Sequence, residues 1–390
     1  MMVTTRPPAV LLAANYGHDV GYAWNNILRL FNAMARRLSD AGLKVCVSFR
    51  DYPASTSMFD GELDVAAFVL DPRRFGGPNV RRTRDLIRDH NIQYLYLTDQ
   101  RPIRLDYALL RMLGVRGIVI HNRVSVPDPY PAPRSGGLRG LVRAAASRLP
   151  LVQADRVYAV SGFVARRLVD SNRLPPARVQ RILNGIDIDR WRCPGRPEMA
   201  GTTVFFTGAR ATRYKGILTL IRAAAEVRDV HGVSDFLVRF AGDGPEMELL
   251  QQEAERLRLS THFTFLGRVR DLRPHVCGAD VVIVPSEYGD ACPSTVSEAL
   301  ASGRALITTR AGGIPELVDG PDNAMMIPPA DVQALAAAMA RLAREPALRA
   351  TLAEHGRLRA EGALSERRYH KEVIDAIFED FGILNPDHRH

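Results

Sequence analysis

The chain has 390 residues, of which 46% are hydrophobic and 24% charged, the size of two or three domains and the composition of a globular protein. No apolar run approaches the roughly 20 residues that a bilayer-crossing helix needs, and Ala9–Ala14 is too short for a signal-peptide core, so a cytoplasmic protein is expected. The net charge of +9 is uneven: residues 1–195 carry 29 Lys+Arg against 16 Asp+Glu, while residues 196–390 carry a net −4.

In the first half, short aliphatic or β-branched runs alternate with helical patterns. Strands are predicted at Val10–Ala14, Lys44–Phe49, Val65–Leu70, Tyr94–Leu97, Gly117–Ile120 and Arg156–Val160. Helices are predicted at Trp24–Asp40, Arg81–His90 and Asp106–Leu113. The stretch 122–140, with prolines at 127, 129, 131 and 133, reads as a loop. It leads into a basic helical pattern, Leu138–Leu149, carrying Arg139, Arg143 and Arg148. Residues 187–202 lack a period and contain Pro194, Gly195, Pro197 and Gly201, as an interdomain linker would.

The alternation then restarts. Strands are expected at Thr203–Thr207, Leu237–Ala241, Thr264–Leu266, Val281–Val284, Ala305–Thr308 and Met325–Ile327. Helices are expected at Gly216–Arg228, Glu246–Leu257, Ser294–Ala301, Asp331–Arg344, Pro346–Gly362 and Ser365–Phe381. Strand–helix alternation of this kind builds parallel sheets covered on both faces, here two doubly wound α/β domains in series. The expected boundaries are 1–186 for the first domain, 187–202 for the linker, 203–364 for the second and 365–385 for a last helix.

Ligands of such sheets bind where strands end. The buried strand ending at Val284 is followed by a loop and a helix that should start near Pro293 and stop at Gly303. The free N–H groups of Ser294 and Thr295, with the positive end of the helix dipole, suit a phosphate or sugar hydroxyl. Asp290 and Glu298 flank this turn, and carboxylates accept well from vicinal hydroxyls. A surface acid beside an ordinary helix start would look the same.

After the first strand of the second domain come Gly208-Ala-Arg210 and Lys215-Gly216. Arg210 and Lys215 could neutralise a diphosphate without a metal, or could simply belong to a basic turn. Gly242-Asp243-Gly244 and Arg268-Val269 sit in the next two strand-end loops, where turn formation alone would also account for them. In the first domain, Gly17 and Gly21 follow the first strand without completing G-x-G-x-x-G. His121 lies just past a strand end, where a structural histidine is the competing reading. Asp187-Ile-Asp189 has the form of a metal-binding DxD, but it opens the linker instead of ending a buried strand. Cys46, Cys193, Cys277 and Cys292 form no CxxC unit, so a zinc ribbon or disulfide framework is not expected and reduced thiols are. The terminal His388-Arg-His390 reads as a frayed end.

These segments resemble the retaining glycosyltransferases of family 4, which have the GT-B fold. The similar pieces are Gly208-Ala-Arg210 with Lys215-Gly216, Gly242-Asp-Gly-Pro245, Phe265-Leu-Gly-Arg268, Ala279-Asp280, Pro285-Ser286 and Gly312-Gly-Ile-Pro-Glu316. Val160-Ser161 and Asn184-Gly-Ile-Asp187 fit upstream. The family's carboxylate pair, with seven residues between its members, falls on Asp290 and Glu298, and Asp290 stands where Glu is usual.

The resemblance implies two Rossmann-like domains facing a cleft and transfer of a sugar from a nucleoside-diphosphate sugar to a hydroxyl acceptor, a glycan or glycolipid, without metal or other cofactor. It implies that Arg210 and Lys215 bind the diphosphate and that Glu298 holds the ribose. Asp290 and the backbone of Ala291, Cys292, Pro293, Ser294 and Thr295 would hold the donor sugar. Gly208, Gly242, Asp243, Arg268 and Val269 would complete the donor site. His121 would approach the transferred sugar, with Gly17 and Gly21 at the cleft of the first domain. The last helix would cross back to the first domain. A nucleotide-sugar epimerase of the same fold and a non-catalytic nucleotide-sugar binding protein are the alternatives. No nucleic-acid motif accompanies the basic half. That half suggests an anionic acceptor or peripheral contact with an anionic inner-membrane face, or else ordinary solvated arginines.

Overall fold

A computed structural model describes residues 7–16, 22–50, 65–73, 75–76, 79–123, 145, 149–171, 174–195 and 201–384. The chain forms two compact units, one of Met1–Val124, Pro131–Ile182 and His370–His390, the other of Ser125–Tyr130 and Leu183–Tyr369.

The first unit is built on β1 (Ala9–Ala13), β2 (Lys44–Phe49), β3 (Val65–Val69), β4 (Ile92–Thr98), β5 (Gly117–Asn122), β6 (Arg156–Ala159) and β7 (Val179–Arg181). They pair in parallel in the order β3-β2-β1-β4-β5-β6-β7. All five residues of β1 are buried, as expected of a central strand covered on both faces. Helices Tyr22–Asp40, Val80–His90, Leu105–Met112 and Gly162–Asp170 connect the strands. The last helix, Glu366–Phe381, joins this unit from His370 onward. There Asp380 accepts from Arg156 Nε at 2.8 Å and from the Tyr158 hydroxyl at 2.7 Å.

The second unit carries β8 (Thr203–Gly208), β9 (Phe236–Ala241), β10 (Phe263–Gly267), β11 (Val281–Val284), β12 (Ala305–Thr309) and β13 (Met325–Ile327). The order is β10-β9-β8-β11-β12-β13, again parallel. Its core packs Phe205, Val238, Phe240, Ile283 and Ile307 of the sheet against Ile217, Leu220 and Ile221 of helix Ile217–Asp229, and against Leu335 and Met339 of helix Val332–Arg344. In each unit the strand order reverses direction beside the first strand, between β1 and β4 and between β8 and β11. Such a switch point opens a crevice at the strand ends.

Three local differences from the sequence reading stand out. Helix Gly162–Asp170 and the short strand β7 were not anticipated; the helix is capped by Ser161, whose hydroxyl accepts from Val164 N at 3.4 Å. Pro293 sits at the N-cap and not at the first helical position, although helix Ser294–Ser302 begins at Ser294 and stops at Gly303, φ 63°, as expected. The expectation of reduced thiols is overturned for one pair: Cys193 and Cys277 form a disulfide across 84 residues. Linker residues up to 195 fold onto helix Arg273–Cys277, where Arg273 donates to the carbonyls of Arg190 at 2.6 Å and Arg192 at 3.0 Å. That tertiary approach leaves no local spacing signal. Cys46 and Cys292 remain free thiols.

Of the basic pattern Leu138–Leu149, Ala145 is helical and Leu149 is described, and the rest lies outside the described residues, as do Gly17, Gly21, His388 and His390.

Candidate active site

The switch point of the second unit gathers most of the residues singled out above. β8 ends at Gly208, and the chain continues through Arg210 to a single 3-10 turn, Arg213–Lys215. The turn closes at Gly216, whose φ of 69° favours glycine. A Cβ there would lie 1.9 Å from the Pro285 carbonyl oxygen. The two strand-end loops therefore touch backbone to backbone, and Glu287 N donates to the Tyr214 carbonyl at 2.8 Å. This contact delivers Lys215 to the loop after β11. Its Nζ lies 2.7 Å from Asp290 Oδ2, with the lysine side chain 16% exposed and the aspartate 1%. The same oxygen accepts from Ser286 Oγ at 2.6 Å.

Asp290 is held from below by the loop after β12. A Cβ on Gly312, at φ 57°, would stand 2.0 Å from the Asp290 carbonyl oxygen, and Gly313 N donates to that oxygen at 2.8 Å. The Gly-Gly-Ile-Pro-Glu run thus fixes the backbone that carries the carboxylate.

Arg210 is exposed, and its guanidinium has no hydrogen bond or ion pair among the described residues. Its loop is anchored by neighbours instead. Ala209 N bonds the Ala241 carbonyl at 3.1 Å, and Ala211 N bonds the Asp243 carbonyl at 2.9 Å. Gly242 lies so close that a Cβ would come within 1.8 Å of the Ala209 oxygen. Asp243 is exposed, and its carboxylate accepts from Gly244 N at 2.7 Å, closing its own turn. Arg268, exposed, and Val269, half-buried, follow β10.

The helix Ser294–Ser302 is tied to β8 by Thr295 Oγ1, which donates to the Gly208 carbonyl at 3.0 Å. Pro293 makes no side-chain cap. Ala291 is buried, and burial pushes the Cys292 thiol up to about 12, against hydrogen bonds with Asn184.

Ser294 is exposed and Glu298, four residues on along the same helix face, is 1% exposed. Neither Glu298 oxygen completes a hydrogen bond of ordinary geometry among the described residues. Burial raises its pKa to about 7, while the Ser294 hydroxyl and Arg190 pull it down and Asp271 pushes it up. Two orphaned acceptors on one buried carboxyl are costly unless a donor-rich ligand completes them.

In the first unit His121 is buried at the end of β5, its Nδ1 2.5 Å from the Tyr96 hydroxyl. Burial, then Arg123, holds its pKa well below 6.5, so the imidazole is neutral. No sequence motif marks the group around it at the other switch point. Asp99 follows β4 in a left-handed conformation, φ 51°, rare for a non-glycine residue. Its N–H donates to the His121 carbonyl at 2.9 Å. Its carboxylate accepts from the Tyr16 hydroxyl and, at 2.5 Å, from Arg123 N. Burial raises its pKa. The signal available was a polar Thr-Asp-Gln triplet ending an apolar strand.

Asp187 caps its own turn, accepting from Arg190 N at 2.9 Å.

Two family profiles match the sequence. The one described as glycosyl transferases group 1 matches residues 201–345, and the one described as glycosyltransferase family 4 matches residues 29–190. A D-inositol 3-phosphate glycosyltransferase of Saccharomonospora viridis is 29% identical over 245 residues, 59% of this chain and 56% of that protein. A GDP-mannose-dependent alpha-(1-6)-phosphatidylinositol monomannoside mannosyltransferase of Mycolicibacterium smegmatis is 27% identical over 294 residues, 71% of this chain and 74% of that protein. The matched stretch thus spans between about half and three-quarters of these relatives. Among solved structures, a Rickettsia africae glycosyltransferase superposes with a TM-score of 0.75 at 16% identity, covering 96% of this chain and 99% of that one. Anabaena HepE in complex with UDP gives 0.74 at 18%, covering 95% and 100%. These likenesses establish the fold, GT-B, with two parallel-sheet Rossmann-like units. With both profiles matched in order along such a fold, the chain belongs to the family 4, group 1 glycosyltransferases.

Proposed function

We propose that the chain transfers a glycosyl group from a nucleoside-diphosphate sugar to a hydroxyl-bearing glycan or glycolipid, with retention of anomeric configuration and without a metal. The observation that carries this reading is Glu298, a buried carboxyl with two unsatisfied acceptors one turn below an exposed helix start. A ribose diol supplies the two donors such a group lacks. Beside it, Arg210 and Lys215 provide two cations for a diphosphate, and the N–H groups at Ser294 and Thr295 provide a helix end.

In the proposed reaction the bond between the donor's anomeric carbon and its phosphate oxygen breaks. A bond to the acceptor oxygen forms on the same face, and the acceptor's proton passes to the departing phosphate. The protein's part is to hold the diphosphate, spread its developing charge over Arg210 and Lys215, and orient the sugar through Asp290 and the 291–295 backbone. Gly208, Gly242, Asp243, Arg268 and Val269 line the nucleotide side. The charge of residues 1–195 favours an acceptor presented at an anionic membrane surface.

A thermal-shift screen of nucleoside-diphosphate sugars in the presence of a chelator tests this reading. The true donor at 100 times its dissociation constant adds about 2.7 kcal/mol. No stabilisation by any of them would contradict the proposal. NMR of the product's anomeric proton tests retention, and an inverted linkage would refute the same-face route.

A further inference from the structure

Among the described residues of the first unit, four of the five most exposed large hydrophobic side chains lie on two touching segments, and the fifth, Leu384, lies near the chain end. Leu105 and Met112, 79% and 77% exposed, lie on helix Leu105–Met112. Leu149 and Leu151, 57% and 61% exposed, flank Pro150 at the start of the 3-10 turn Pro150–Val152. The segments run antiparallel: Ile103 bridges Gln153, Arg104 N bonds the Val152 carbonyl at 2.8 Å, and Ala154 N bonds the Pro102 carbonyl at 2.8 Å. Counting outward from that bridge brings Leu105 opposite Leu151. On the helix, Leu105, Leu109 and Met112 share one stripe, while Tyr107 and Leu110 face the core. Single exposed leucines are common, but a contiguous group is not.

Charge says what covers this patch. Exposed Arg101 and Arg116 stand in sequence just before and just after the helix. In the sequence, the eleven residues before Leu149 hold Arg139, Arg143 and Arg148 and no acid. A group of apolar side chains flanked by cations matches the boundary between headgroups and acyl chains of an anionic bilayer.

We propose that Leu105, Met112, Leu149 and Leu151, with Arg101 and Arg116, form the surface by which this protein docks on anionic membranes. The inference rests on the reading that its acceptor is presented at such a membrane, and it assigns the face that meets the lipid.

Co-sedimentation with phosphatidylcholine vesicles, with and without phosphatidylglycerol, tests it. The wild type should bind the anionic vesicles only. The variant Leu105→Ser, Met112→Ser, Leu149→Ser, Leu151→Ser should bind them roughly tenfold or more weakly, because each exchange removes an apolar group from the interface. Arg101→Glu with Arg116→Glu keeps the leucines and should also weaken binding, and it carries the test if the quadruple variant does not fold. No binding of the wild type to either vesicle would overturn the membrane reading itself. Wild-type binding that both variants retain would leave that reading standing and overturn the surface assigned here. Self-association lost in the quadruple variant, with no vesicle binding, would assign the patch to a second copy of the chain. Nucleotide binding in the same preparations should be unchanged, and its loss in the wild type would count against the donor site and not against this surface.

Discussion

Glu298, the proposed ribose ligand, is buried at a cost to stability. Its pKa of about 7 exceeds the ordinary carboxyl value of 4.5, so the folded chain binds a proton that the unfolded chain has already released. Stability must then fall as pH rises from about 4.5 to about 7, by roughly 3 kcal/mol. Glu298→Gln removes that titration. Its melting temperature should exceed the wild type's near about pH 8 and converge with it below about pH 4.5. The same variant should bind nucleotide more weakly, because an amide offers one acceptor oxygen where the carboxylate offers two. A variant less stable at alkaline pH, or one that binds normally, would remove the ribose role. In the wild type, nucleotide affinity should weaken as pH drops below about 7 and the carboxyl takes up its proton.

The two cations differ as experimental handles. Lys215 pairs with an aspartate that is 1% exposed and that also accepts from Ser286, so Lys215→Ala takes the cation away from a buried carboxylate. Breaking such a pair costs about 3–5 kcal/mol, and activity lost in that variant would mix chemistry with unfolding. Arg210 is exposed, with no side-chain partner among the described residues. Arg210→Ala should therefore leave the melting temperature unchanged and lower turnover by about 10²–10³-fold, as for loss of one donor to a developing oxyanion.

At the scale of elements, the site depends on loops that touch each other through glycine. Gly312→Ala would force a Cβ onto the Asp290 carbonyl at a positive φ, so it should destabilise the second unit by about 2–4 kcal/mol and weaken donor binding with it. A melting curve like the wild type's would show that this loop can move away. Such contacts explain what the sequence made visible. Strands such as Val281–Val284 are unbroken apolar runs because they are buried on both sides, and Gly303 ends its helix in the conformation glycine favours. Legibility stopped where a residue's role depends on a distant partner. Lys215 looked like a free cation because its aspartate is 75 residues away. Asp99 is marked by no motif in the sequence because Tyr16 and Arg123 meet it only in the fold. β7 has three residues, too few to show an alternation.

For the whole molecule, the Cys193–Cys277 link closes a loop containing three of the second unit's six strands, β8, β9 and β10. Chain-entropy arguments give a link of this span about 4–5 kcal/mol. Thiol titration of the non-reduced, denatured protein should find two reactive groups, Cys46 and Cys292, and reduction should expose the other two and lower the melting temperature of the second unit. Four reactive thiols before reduction would show the pair to be open. The concentration of arginine in residues 1–195 and of acid beyond them separates the proposed tasks, acceptor and surface on one side and donor on the other.

In the proposed reaction a nucleoside diphosphate is held by protein cations and a buried carboxyl. Calorimetric titration of UDP, GDP and ADP into the wild type, Arg210→Ala and Glu298→Gln, with a chelator present throughout, tests this most directly. The expected result is tight binding of one nucleotide to the wild type, weakened roughly tenfold or more in each variant. Binding that needs a divalent ion, or that is equal in all three proteins, would contradict it.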